Sequence, residues 1–142
     1  MPAIQRTANG TWHGDLKSGK GSIDAPSSGV LKETPFSFAT RFENAKGTNP
    51  EELIAAAHAA CFSMAFSHYL SGKGHVPDTI TTKATISLED GKINKMHLET
   101  RGRVAGLDNA QFKQLADEAE KQCPVSNLLR SGLSITLDAA LL

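Results

Sequence analysis

The chain carries two cysteines, Cys61 and Cys123, and no other side chains in it offer as much chemistry. A thiolate is a nucleophile, a metal ligand and the first rung of sulfur oxidation. The two lie too far apart for a C-x-x-C motif, and two thiols fall short of the four ligands of a structural zinc site. The other residues that bind zinc, His13, His58, His68, His75 and His97, are scattered. In a chain of cytosolic character a permanent structural disulfide is not expected. Spacing alone therefore leaves two readings: inert packed thiols, or a redox pair that closes and opens during turnover.

Reactivity turns on charge. An unperturbed thiol of pKa near 8.5 is only about 3 % thiolate at pH 7, and lowering the pKa by about two units costs roughly 2.7 kcal/mol of differential stabilisation. One guanidinium about 4 Å away supplies up to about 4 kcal/mol at an effective dielectric of 20. Arg41 is the candidate cation, and Glu51 is a carboxylate able to hold its guanidinium fork. Glu51 precedes Cys61 by about 15 Å of helix axis, so it would act through Arg41 or from a second chain. Cys123 precedes Pro124 at the start of a short helix, where free N–H groups favour a thiolate and suit a resolving cysteine. His58 stands one helical turn before Cys61, either as a base or as a satisfied buried imidazole. Phe36, Phe38, Phe62 and Met64 are core candidates that could also line an apolar pocket.

The elements that must position these groups are legible. From Leu53 to Gly72 there is no Lys, Arg, Asp or Glu. Asn49, Pro50 and Glu52 give a strong helix start, which predicts one long helix from about Pro50 to Ser71. An all-apolar helix must be buried on all sides. Before it, strands are predicted around Trp12, around Ile23 and from Phe36 to Phe42, where alternation turns Arg41 away from the phenylalanines. After it come a strand with Ile80, Thr82, Ala84, Ile86 and Leu88 on one face, an Asp90-Gly91 hairpin, and a return strand presenting Met96, Leu98 and Val104. A helix capped by Asp108 and Gln111 buries Phe112, Leu115, Ala116 and Ala119; a short helix from Val125 to Arg130 and a strand through Leu133, Ile135 and Leu137 complete the chain. The order predicts an α+β fold with antiparallel sheets around the long helix, in a single domain spanning residues 1–142.

Composition bounds the partners. The 142 residues include 15 basic and 15 acidic side chains, without a basic block, so neither nucleic acid nor an anionic membrane surface is an expected partner. No signal-like apolar stretch opens the sequence, and polar residues interrupt the long helix, so a cytoplasmic protein without a membrane span is expected. A helix of about 22 residues is roughly 33 Å long. A domain of this size is only about 37 Å across, so covering that helix on all sides calls for a second copy. The small face of Ala55, Ala56, Ala59 and Ala60 suits close approach, and an obligate homodimer is expected.

The run from Asn49 to Ala65, preceded by Arg41-Phe42-Glu43 and followed by Cys123-Pro124-Val125-Ser126, resembles the OsmC/Ohr family, in particular its osmotically inducible protein C subgroup. Trp12-His13-Gly14-Asp15 adds to the likeness, which spans essentially the whole chain. The resemblance implies an intertwined homodimer with thiol-dependent peroxidase activity towards organic hydroperoxides in stress defence. It assigns Cys61 as peroxidatic and Cys123 as resolving, closing a Cys61–Cys123 disulfide, with Arg41 stabilising the thiolate and Glu51 orienting Arg41. The related organic-hydroperoxide-resistance subgroup takes its arginine from nearer the N-terminus, which makes Arg6 the alternative. It implies no bound cofactor and no metal, with reduction by an external dithiol such as a lipoyl group, carried by a lipoylated protein or a small molecule. The competing class is a non-catalytic stress protein that uses the same apolar cleft for small-molecule binding or redox sensing.

Overall fold

The computed structural model describes residues Met1–Leu142. Met1–Pro50 and Glu51–Leu142 form separate compact units. In the first, β1 (Asn9–His13), β2 (Lys20–Asp24) and β3 (Thr34–Phe36) form an antiparallel sheet in that order. Trp12, Gly21 and Phe36 are register partners across it. The two rings approach to 5.4 Å between centroids, and a Cβ on Gly21 would fall 2.4 Å from the Phe36 ring and 2.7 Å from Trp12. Only glycine lets the aromatics close over the central strand.

The expected strand through Phe42 is not there. β3 ends at Phe36, Ser37 caps, and Phe38–Phe42 is a short helix, α1. Ser37 Oγ accepts from the Thr40 N–H and Thr40 Oγ1 from the Ser37 N–H, a reciprocal capping box that overrides the two-residue alternation. Helical spacing sets Phe38 and Phe42 together, ring centroids 5.0 Å apart. It also brings the Arg41 guanidinium 5.2 Å over the Phe42 ring. Arg41 is therefore among the phenylalanines, not opposite them.

The second unit is built on α2 (Pro50–Gly72), which begins with the expected proline and acidic first turn. It ends where Gly74, at φ +87°, and His75 turn back onto Ser71 and Leu70. His58, Phe62, Phe66 and Leu70, four residues apart, form its fully buried stripe. By length and composition α2 could cross a bilayer, but this stripe is the core of the unit. The hairpin β4 (Thr79–Glu89) and β5 (Lys92–Arg103) turns at Asp90 and Gly91, both with positive φ, as a type I′ turn needs. Met96, Leu98, Thr100 and Gly102 face the core beside Ile86, Ala84, Thr82 and Ile80. α3 (Asn109–Glu120) carries the expected Asp108–Gln111 capping box, and α4 (Pro124–Leu129) follows with Cys123 at its N-cap.

The last strand, β6 (Ser134–Leu141), pairs with β5 in parallel, whereas antiparallel pairing was expected. The reason is the connection. α3 and α4 carry the chain back along the sheet, so β6 starts where β5 starts, the geometry of a β-α-β crossover. Leu98, for example, is flanked by Ala84 on one side and Leu137 on the other. On the outer face Arg101 pairs with Asp138 at 2.9 Å.

Candidate active site

In the second unit the two thiols meet. Cys61 lies midway along α2 and Cys123 at the N-cap of α4, with 3.5 Å between their sulfurs. Both are reduced; Cys61 is half-buried and Cys123 fully buried. A disulfide has an S–S bond of about 2.05 Å, so closure needs a further approach of only about 1.5 Å. Pro124 has no N–H to offer; the next one, on Val125, is close enough to the Cys61 sulfur to favour its thiolate. The side chain of Cys123 makes no capping bond. At this helix start the Val125 N–H thus favours a thiolate on Cys61, whereas Cys123 was the expected recipient.

Burial pushes the Cys61 thiol up from its ordinary pKa; the Val125 N–H pulls it down, and the neighbouring Cys123 adds to the upward push. Burial is the larger effect here, so this unit by itself favours the neutral thiol at pH 7.

The other expected residues divide between the units. Glu51, in the first turn of α2, is buried, where a carboxylate is rarely found unless it is paired. Phe62 is fully buried and tilts against Phe66 at 5.7 Å in the core, while Met64 is 74 % exposed. In the first unit Phe36, Phe38 and Arg41 line one cavity of about 290 Å³ together with Trp12, Leu16, Ser37 and Phe42. Arg6 is exposed and donates to the neighbouring Gln5 carbonyl. No three His, Cys, Asp or Glu side chains converge as a metal site.

His58 is fully buried, its Nε2 2.7 Å from Ser126 Oγ on α4, and its Nδ1 has no hydrogen-bond partner. Ser126 was not among the expected site residues. Its signal was present: it stands one turn after Cys123, as His58 stands one turn before Cys61. Burial lowers the His58 pKa; the nearby Glu120 carboxylate raises it and Arg130 lowers it again. The unfolded chain therefore binds the His58 proton more readily than the folded one. Stability contributed by the neutral ring is complete above the unfolded pKa, near 6.5, and is lost as pH falls from there to the lowered folded value. Urea midpoints measured from pH 8 to pH 5 should fall on the acid side, and His58→Gln should flatten that fall. An equal fall in the variant would place the titration elsewhere.

A reduced cysteine pair at contact distance on an α+β frame defines a dithiol protein, one able to pass between two thiols and a disulfide. Residues 43–138 match the family described as OsmC-like protein. Peroxiredoxin OsmC of Escherichia coli is 45 % identical over 139 residues, covering 95 % of each chain. An organic hydroperoxide resistance protein of Xanthomonas axonopodis pv. citri is 35 % identical over 98 residues, 66 % of this chain and 68 % of its own. The crystal structure of OhrB of Bacillus subtilis, an organic hydroperoxide resistance protein, superposes with a TM-score of 0.66 at 28 % identity, covering 94 % of this chain and 97 % of that one. The chain belongs to the OsmC family.

Proposed function

We propose that this protein is a thiol-dependent peroxidase of stress defence that reduces organic hydroperoxides to alcohols in the cytoplasm. The observation that carries the reading is the 3.5 Å approach of two reduced sulfurs contributed by α2 and α4. The names of its relatives, peroxiredoxin and organic hydroperoxide resistance protein, support it.

In the proposed cycle the Cys61 thiolate attacks the distal peroxide oxygen. The O–O bond breaks, the alkoxide leaves and takes a proton, and Cys61 becomes a sulfenic acid. Cys123 then attacks that sulfur. An S–S bond forms, the S–O bond breaks, and the hydroxide departs as water with the Cys123 proton. An external dithiol, a lipoyl group or a small molecule, reduces the disulfide and is itself oxidised; no bound cofactor takes part. Arg41 is proposed as the cation that opposes the cost of burying a thiolate, with Glu51 orienting it. Phe36 and Phe38 are proposed to meet the organic part of the substrate, with Met64 as a further wall residue; Phe62, fully buried in the core, offers no face to it.

We also propose that the working form is a homodimer. Ala56, Ala57, Ala60, Met64 and His68 form an exposed face of α2, and small residues with one flexible methionine suit close helix approach. Sedimentation should give twice the chain mass of 15.1 kDa.

Steady-state assays test the function. Purified protein with a dihydrolipoyl system should consume cumene hydroperoxide over many turnovers, with kcat/KM above that for hydrogen peroxide by at least about tenfold. One oxidation per site followed by arrest with every dithiol supplied would reject catalysis. Cys123→Ser should stall as the Cys61 sulfenic acid and lose turnover by about 10- to 100-fold. Full turnover in that variant would remove Cys123 from the cycle.

A further inference from the structure

The dithiol contact has a parallel one turn away. Cys61 of α2 meets Cys123 of α4, and His58, three residues before Cys61, meets Ser126, three residues after Cys123, at 2.7 Å. The two contacts are therefore rungs between the same pair of helices. His58 and Ser126 are both fully buried, and the bond to Ser126 is the imidazole's only hydrogen bond. A buried polar ring whose one hydrogen bond runs to α4 ties that helix to α2 at the level of the sulfurs. α4 has only six residues, too short to hold a position by itself. Its far end is held separately: Arg130, just past the helix, lies 3.0 Å from the carboxylate of Glu120 at the end of α3.

Disulfide closure asks the sulfurs to move from 3.5 Å to bonding distance without α4 drifting away, and rates of such steps fall steeply with misplacement of about 1 Å. We propose that His58 and Ser126 are positioning residues for the resolving step, a buried clasp that holds the Cys123 end of α4 against α2 so that Cys123 reaches the Cys61 sulfenic acid. This rests on the peroxidase reading above. Neither residue hydrogen-bonds to the reacting sulfurs; each acts through the placement of α4. The step itself is the one already balanced: Cys123 sulfur bonds to Cys61 sulfur, and hydroxide leaves with the Cys123 proton as water.

The test separates the two half-reactions. Reduced full-length protein is mixed with one equivalent of cumene hydroperoxide, quenched at intervals with dimedone to trap sulfenic acid, and scored by intact mass for sulfenic adduct and disulfide. Wild type should pass to disulfide with little trapped adduct. His58→Leu and Ser126→Ala should form sulfenic acid at rates within about threefold of wild type but close the disulfide at least about tenfold more slowly, a barrier increase of about 1.4 kcal/mol. The double variant should be no slower than the worse single one, because the two act as a unit. His58→Gln, whose amide can donate to or accept from Ser126, should recover most of the closing rate. If His58→Leu does not fold, the smaller Ser126→Ala change carries the test. Closing rates unchanged in Ser126→Ala would overturn the clasp, as would equal slowing of both half-reactions. Absence of a Cys61–Cys123 disulfide in wild type would instead overturn the peroxidase reading.

Discussion

Cys61→Ser should abolish peroxide turnover, lowering kcat/KM for cumene hydroperoxide by at least about 1000-fold, or about 4 kcal/mol of transition-state stabilisation. The substitution exchanges one atom in a half-buried side chain on α2, so the fold should survive it. What it removes is the nucleophile: a serine hydroxyl stays protonated without a dedicated base and forms no sulfenic acid. The remaining thiol, Cys123, is fully buried at the α4 N-cap and should not replace it. Consumption of peroxide followed under saturating dithiol decides the matter, with circular dichroism to establish that the variant is folded. Retention of more than about a tenth of wild-type kcat/KM would remove Cys61 from the reaction.

Phe112→Ala should cost about 3–5 kcal/mol, a large part of the roughly 5–15 kcal/mol that holds a domain together. Phe112 is fully buried on α3 and tilts onto Phe66 of α2 with 5.0 Å between centroids. Its ring also lies against Gly102 of β5, where an added Cβ would sit 2.9 Å from it. One side chain thus joins both main helices to the central strand, and its loss leaves a cavity bounded by three elements that cannot all relax inward. Urea midpoints at fixed protein concentration should fall accordingly. A loss below about 1 kcal/mol would mean the site collapses freely and that α2 is held by other contacts.

Much of this arrangement could be read from residue order. The capping box at Asp108, the Asp90-Gly91 hairpin and the period-two pattern of Ile80 to Leu88 are local signals, and local signals survive into the structure. Two features were not legible for physical reasons. The parallel pairing of β6 depends on where α3 and α4 deliver the chain, which no strand pattern encodes. The helix at Phe38–Phe42 was hidden because alternation over so short a stretch looks like a strand, while the deciding feature was Ser37 with Thr40 three residues on. At the candidate site, the proximity of Cys61 to Cys123 was expected from family likeness and is now a distance. The influence of the Val125 N–H on Cys61 and the His58–Ser126 bond needed coordinates, because both depend on how α4 lies on α2.

The charge state of Cys61 also needed coordinates. Burial outweighs the single N–H donor and raises the thiol, so the proposed role of Arg41 becomes quantitative. Alkylation of Cys61 by iodoacetamide, followed against pH in Cys123→Ser, should titrate at lower pH with Arg41 present than in Arg41→Ala. Identical profiles would release Arg41 from that role.

The proposed cycle requires Cys61 and Cys123 to act as one redox couple within a single chain. Reduced protein given one equivalent of cumene hydroperoxide, then digested without reductant and weighed, tests it most directly. Both free thiols should be lost, the mass should fall by two hydrogens, and a single cross-linked peptide should join Cys61 to Cys123. A gain of oxygen with Cys123 still free, or a cross-link between identical cysteines of two chains, would contradict it.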